Sequence, residues 1–223
     1  LSGGASFEIS QPLKPHSVKR ERLDRIFQVL VAGNANAGKT TVFNALTGAR
    51  AKVGNYPGVT VSRSSRVVTL SSSRIKAELV DLPGIYSLST HSPDEQVAVD
   101  EVLGRRGNAP DAVLVVLDAC ALERSLYLAM QIIETGVPTV VAVNMVDEAA
   151  RAGIDIDFKK MSKWLGVTAV GTVASTGRGL DVVREELGVA LGQATRFDVG
   201  WDGFSESVKS AIAVVEGSLE GVP

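Results

Sequence analysis

Short apolar runs recur along this chain, each ending in a polar or glycine-rich segment and each followed by an amphipathic stretch. Residues 26–32 are apolar and β-prone, and 41–46 have helical character. Residues 112–118 and 137–144 are short and valine-rich, the pattern of strands buried on both faces of a parallel sheet. Helical patterns follow them, over 122–135 and in a region ending near Leu165. A further strand is predicted over 167–173 and a helix over 180–191. Residues 65–70 and 75–81, joined by Ser71-Ser72-Ser73, predict a hairpin. Ser92-Pro93-Asp94-Glu95 predicts a helix start: serine caps, proline fits the first helical position, and Glu95 completes a capping box. Residues 50–61, rich in Gly, Asn and Pro, read as a loop. The predicted fold is α/β, a mostly parallel six-stranded sheet with helices on both faces. Ligands in such sheets bind at the carboxyl ends of the strands.

Composition narrows the picture. The 223 residues suffice for one α/β domain with a full core. Residues 1–25, polar and broken by Pro12 and Pro15, read as a tail, and Lys19-Arg20-Glu21-Arg22 within it as a solvated charge cluster. The main domain spans 26–192, and 193–223 form an extension in which Phe204, Val208, Ile212, Val215 and Leu219 make a helical apolar stripe. A start at Leu1 reads as a trimmed end, a tag remnant or an excised piece. The net charge of −2 argues against a broad electrostatic grip on nucleic acid. With Cys120 the only cysteine, no intrachain disulfide can form, and a cytosolic location is expected. His16, His91 and Cys120 are isolated in sequence, so iron binding within this stretch is not expected. No apolar run approaches the roughly 18–20 residues of a membrane span.

The candidate chemistry falls at the predicted strand ends. Gly33-Asn34-Ala35-Asn36-Ala37-Gly38-Lys39-Thr40 joins the first strand to the first helix with the spacing of a phosphate-binding loop. Backbone N–H groups and the new helix N-terminus then face a polyphosphate. Lys39 sets a point charge on the outer phosphates, and Thr40 offers a hydroxyl to Mg²⁺. In Asp81-Leu82-Pro83-Gly84, the aspartate can hold Mg²⁺ through a water and Gly84 can bring its N–H to a γ-phosphate. Asn144-Met145-Val146-Asp147 closes a later strand. The Asp147 carboxylate accepts from the two parallel donors of guanine, whereas adenine leaves it unpaired. Asn144 is expected to tie this base loop to the phosphate loop and to reach N7. The Ala174 N–H, in Val173-Ala174-Ser175, is a candidate donor to guanine O6.

These motifs in this order resemble those of Ras-like P-loop GTPases. Residues 33–48, Val53-Gly54-Asn55-Tyr56-Pro57-Gly58-Val59-Thr60-Val61, Asp81–Leu88 and Asp118-Ala119-Cys120-Ala121-Leu122-Glu123-Arg124-Ser125-Leu126-Tyr127-Leu128 resemble more closely the ferrous iron transport protein B (FeoB) family. The resemblance covers roughly 26–192 and implies a GTP-hydrolysing domain on the cytoplasmic face of the inner membrane. In that family a helical domain and membrane segments follow, so 193–223 is expected to be the start of a truncated helical domain. It implies GTP or GDP, Mg²⁺ and K⁺ as ligands, slow turnover, iron uptake as the coupled process, and an oligomer as one option. The alternatives are a regulatory GTPase, slow in chemistry, and a cation-activated one associated with RNA or the ribosome.

By the same resemblance, the nucleotide contacts include Thr41, Gly58, Val59, Met145, Val173 and Ser175 beside the residues above. Thr60 is the switch threonine meeting Mg²⁺ and the γ-phosphate, and Lys39, Thr60, Gly84 and Asn36 carry catalysis. Asn36, with the carbonyls of Gly54 and Tyr56, is expected to hold K⁺ near the phosphates once the switch loop closes. Ile85 stands where Ras has a water-orienting glutamine, a job an aliphatic chain cannot do.

Overall fold

The computed structural model describes residues 25–48, 52–56, 58–70, 75–89 and 92–194. The tail over 1–24, Pro57, the Ser71–Ser73 turn, His16, His91 and the 204–219 stripe lie outside the described residues.

The chain runs β1 (Ile26–Gly33), α1 (Lys39–Thr47), β2 (Lys52–Asn55), β3 (Ser62–Thr69), β4 (Lys76–Asp81), α2 (Pro93–Val102), β5 (Ala112–Asp118), α3 (Leu122–Glu134), β6 (Thr139–Asn144), α4 (Val146–Arg151), α5 (Phe158–Leu165), β7 (Ala169–Gly171) and α6 (Leu180–Ala194). The sheet order is β2-β3-β4-β1-β5-β6-β7. The pairs from β4 to β7 are parallel, and β2–β3 and β3–β4 are antiparallel.

Strand alternation divides the core into two layers. Leu30 and Ala32 of β1, Val113, Val115 and Leu117 of β5, and Val141 and Val143 of β6 pack with α2, α3 and the short α4 and α5. The intervening Val29, Val31, Leu114, Val116, Val140 and Ala142 meet α1 and α6, through Val42, Phe43 and Leu46 of α1 and Val183, Leu187 and Leu191 of α6. The predicted Ser92 cap is present, its hydroxyl accepting from the Glu95 N–H at 3.3 Å, with Pro93 opening α2.

Three expectations need correction. The sheet has seven strands, not six, because residues 52–55 pair with β3 from Lys52↔Ser65 to Asn55↔Ser62. This edge strand is held by ladder hydrogen bonds rather than burial: Val53 is 73% exposed, so it leaves no apolar pattern to read. The helical region ending near Leu165 is two helices, parted by a turn after Gly153, and Asp157 caps the second by accepting from the Lys160 N–H at 2.9 Å. The last strand covers only Ala169–Gly171, because Val173 turns out of the sheet to bridge Arg178. Among the described residues no helix is long and apolar enough to cross a membrane.

Candidate nucleotide site

At the carboxyl end of β1 the chain turns over Asn34–Ala37, the Ala37 N–H donating to the Asn34 carbonyl at 3.3 Å, and enters α1. No side chain caps α1 and its first turn carries no acid, so its leading N–H groups remain available to an anion. Gly38 sits at φ 78°, and a Cβ there would collide with Asn144 Nδ2. The position therefore demands glycine twice, by conformation and by space. Asn36 (φ 69°) and Met145 (φ 64°) are the non-glycine residues of positive φ among those described. Both stand in the loops assigned to nucleotide, where such strain characteristically accumulates.

Lys39, Thr40 and Asp81 converge. Lys39 Nζ lies 2.6 Å from Asp81 Oδ1, and the Thr40 hydroxyl donates to Asp81 Oδ2 at 2.9 Å. The Lys39 and Asp81 side chains are each about a tenth exposed. A threonine hydroxyl beside a carboxylate is a hard-oxygen donor pair of the kind Mg²⁺ takes. Asn34 is buried, its Nδ2 donating to the Arg124 carbonyl at 3.4 Å while its Oδ1 has no partner, an unpaired acceptor inside the phosphate loop.

After β4 the chain stays beside β1. The Leu82 N–H donates to the Val31 carbonyl and the Ile85 N–H to that of Gly33, both at 3.1 Å. This presses Gly84 onto the phosphate loop, so that a Cβ would stand 3.0 Å from Ala35 N. Ile85 itself is fully buried in the α2–α3 core layer, which removes its side chain from any contact with water at the phosphates.

Asn144 joins three loops, as expected of two of them. Its Nδ2 donates to the Ala37 carbonyl at 3.2 Å, while its Oδ1 accepts from the Ala174 N–H at 3.0 Å and the Thr172 hydroxyl at 3.4 Å. The Ala174 N–H, directed by sequence at guanine O6, is thus engaged within the protein, and binding O6 through it requires that bond to be shared. Val173 is buried and Ser175 exposed. Asp147 lies in the first turn of α4 with its Oδ2 2.9 Å from Arg151 Nη2.

Beyond β2, Tyr56 turns into the core. The Tyr56 N–H donates to the Val61 carbonyl at 2.9 Å, and the Tyr56 carbonyl accepts from Val59 at 3.2 Å. Gly58 (φ 78°) and Thr60 face solvent. Gly54 stands in the β2–β3 ladder opposite Arg63, and Asn36 is exposed on the phosphate loop. The neutral oxygens named for K⁺ are suited to such an ion, but two of the three carriers are engaged in backbone pairing.

Beside Tyr56 a cavity of about 430 Å³ is lined by Arg63, Glu101 and Arg106 among others. Burial pushes the Glu101 carboxyl above its ordinary range, against the lowering pull of Arg63 and Arg106. The folded value then exceeds the unfolded one, and stability falls as pH rises through the interval between them. Glu101→Gln is expected to raise Tm at pH 7.5 by about 2 °C. The gap should close as the pH falls below the ordinary glutamate range. Melting curves that differ equally at every pH would refute this.

Thr172 is fully buried beside Asn144, and the Gln131 side chain accepts from the Leu88 N–H at 2.8 Å. A threonine before a turn and a glutamine on a helix carry no signal of their own.

Residues 27–187 match the family profile described as Ferrous iron transport protein B. The chain is 41% identical over 180 residues to the Fe(2+) transport protein A/Fe(2+) transporter FeoB fusion protein of Porphyromonas gingivalis, covering 81% of this chain and 20% of that protein. It resembles the cytosolic domain of L. pneumophila FeoB with a TM-score of 0.68 and 42% identity, over 73% of this chain and 68% of that one. An S. thermophilus NFeoB mutant bound to mGDP superposes with a TM-score of 0.71 and 39% identity, over 89% of this chain and 74% of that one. The chain spans about a fifth of the length of the curated relatives it matches.

Proposed function

The chain belongs to the ferrous iron transport protein B family and has its P-loop GTPase fold, and on that premise we propose that it binds GTP and hydrolyses it to GDP and phosphate. The convergence of Lys39, Thr40 and Asp81 beneath an uncapped helix start carries this reading. Lys39 would exchange its contact with Asp81 for the outer phosphates, and the Thr40 hydroxyl, joined by Thr60 and by Asp81 through a water, would hold Mg²⁺. When bound, Mg²⁺ supplies positive charge against the phosphate oxygens. Gly84, pressed on the phosphate loop, offers its N–H to the γ-phosphate, and Asp147 reads guanine. The mGDP-bound relative supports a guanine nucleotide as ligand.

Turnover is slow and K⁺-stimulated in this reading. The buried Ile85 side chain cannot orient water, so that job falls to backbone groups or to another loop. In the parent protein the domain sits at the cytoplasmic face of the membrane, and its cycle is coupled to Fe²⁺ uptake through helical and membrane parts, with 193–223 leading into them. Family membership leaves the ribosome-associated alternative without support.

The test is hydrolysis in K⁺ against Na⁺ at equal ionic strength. K⁺ is expected to raise turnover roughly tenfold, equivalent to about 1.4 kcal/mol at the transition state, and Asn36→Ala to remove most of that gain. Equal rates in both salts would overturn the K⁺ assignment, while absence of phosphate release in either would overturn the hydrolase.

A further inference from the structure

The Tyr56 ring is 1% exposed, packed in the core layer with α2, yet its Oη is buried with no hydrogen-bond partner. Val59 and Val61 pack against the same layer, while Gly58 and Thr60 point outward. Two backbone bonds close the turn, Tyr56 N–H to Val61 carbonyl and Val59 N–H to Tyr56 carbonyl. Tyr56 therefore anchors the segment that presents Thr60, and both of its own backbone groups close the turn.

We propose that Tyr56 is a positioning residue for GTP hydrolysis: its docked ring holds residues 58–61 in a latched form, and its unpartnered hydroxyl keeps that latch weak enough to release. Burying the ring favours docking, and leaving a hydroxyl unpaired opposes it. Burial and the nearby Glu101 charge raise the phenol's pKa, so the group stays a neutral donor. In the latched form the Tyr56 carbonyl is occupied by Val59, and Gly54 is held in the ladder with Arg63. Their use as cation ligands competes with the latch, so release and K⁺ binding are linked. This last step rests on the K⁺ reading above; the latch itself does not.

Two substitutions should act in opposite directions. Tyr56→Phe keeps the ring and removes the unpaired group, so the latch tightens. Amide hydrogen exchange at Val59 is expected to slow about tenfold, the equivalent of relieving one unsatisfied buried hydroxyl. The K⁺ concentration for half-maximal hydrolysis should rise several-fold. Tyr56→Leu shrinks the anchor, so exchange at Val59 should quicken and the K⁺ requirement fall. A purely structural role would lower activity in both variants without this reversal. If Tyr56→Phe leaves Val59 exchange unchanged or faster, as it would were the hydroxyl bridged by water in the adjacent cavity, the latch is wrong. If the unaltered protein shows no K⁺ response while Tyr56→Phe still slows exchange, the latch stands and the cation reading fails.

Discussion

Asp147→Asn is expected to lower GTP affinity by about a hundredfold, roughly the 2–3 kcal/mol of a mispaired buried polar group, and to improve binding of xanthosine triphosphate. Asparagine keeps the size of the side chain but turns one acceptor into a donor facing the donors of guanine. Xanthine carries a carbonyl where guanine carries its amine, so the same donor then finds a partner. The fold should barely notice. Asp147 loses its pairing with Arg151, but that is an i,i+4 contact between side chains 41% and 72% exposed, worth at most about 1 kcal/mol. Calorimetry with GTP and xanthosine triphosphate, alongside a thermal melt, separates the two effects. Unchanged GTP binding would remove Asp147 from the base site.

Lys39→Ala is expected to reduce GTP hydrolysis by at least about a thousandfold, in the range seen when one preorganised charge on a transition state is lost. It should weaken triphosphate binding more than diphosphate binding. It should also lower Tm, because Asp81 loses a cation 2.6 Å away in a site where both side chains are about a tenth exposed, and a stranded buried carboxylate is costly. Structural and chemical contributions can be parted by adding Asp81→Asn. The double variant has no stranded charge and should regain much of the Tm, yet it remains without hydrolysis. Recovery of turnover together with stability would show that Lys39 serves only to neutralise Asp81.

Much of the site is legible in the chain because its parts are set locally. The phosphate loop follows from glycine spacing between a strand and a helix, Asp81 and Asn144 end strands whose apolar runs mark where they stop, and Asp147 follows in the next helical turn. The bracing of those parts is not local. Asn144 reaches Ala37 across 107 residues, and Asn34 reaches the Arg124 carbonyl across 90. Thr172 and Gln131 matter only because the folded chain sets them under Asn144 and beside Leu88. The engagement of the Ala174 N–H by Asn144 is likewise a matter of three loops meeting.

The 50–61 segment marks the boundary most clearly. Its composition is that of a loop, and its hydrophobic pattern is too short to be anything else. Whether four of its residues pair as an edge strand depends on the outer face of β3 being open to receive them, and whether Tyr56 enters the core depends on the space beneath α2. The sequence by itself determined the α/β alternation, the phosphate loop and the acids at the strand ends, because periodicity and backbone conformation are encoded residue by residue. Only the tertiary structure decided the seventh strand, the burial of Tyr56 and Ile85, and the joining of the phosphate and base loops through Asn144, because each depends on surfaces contributed by distant parts of the chain.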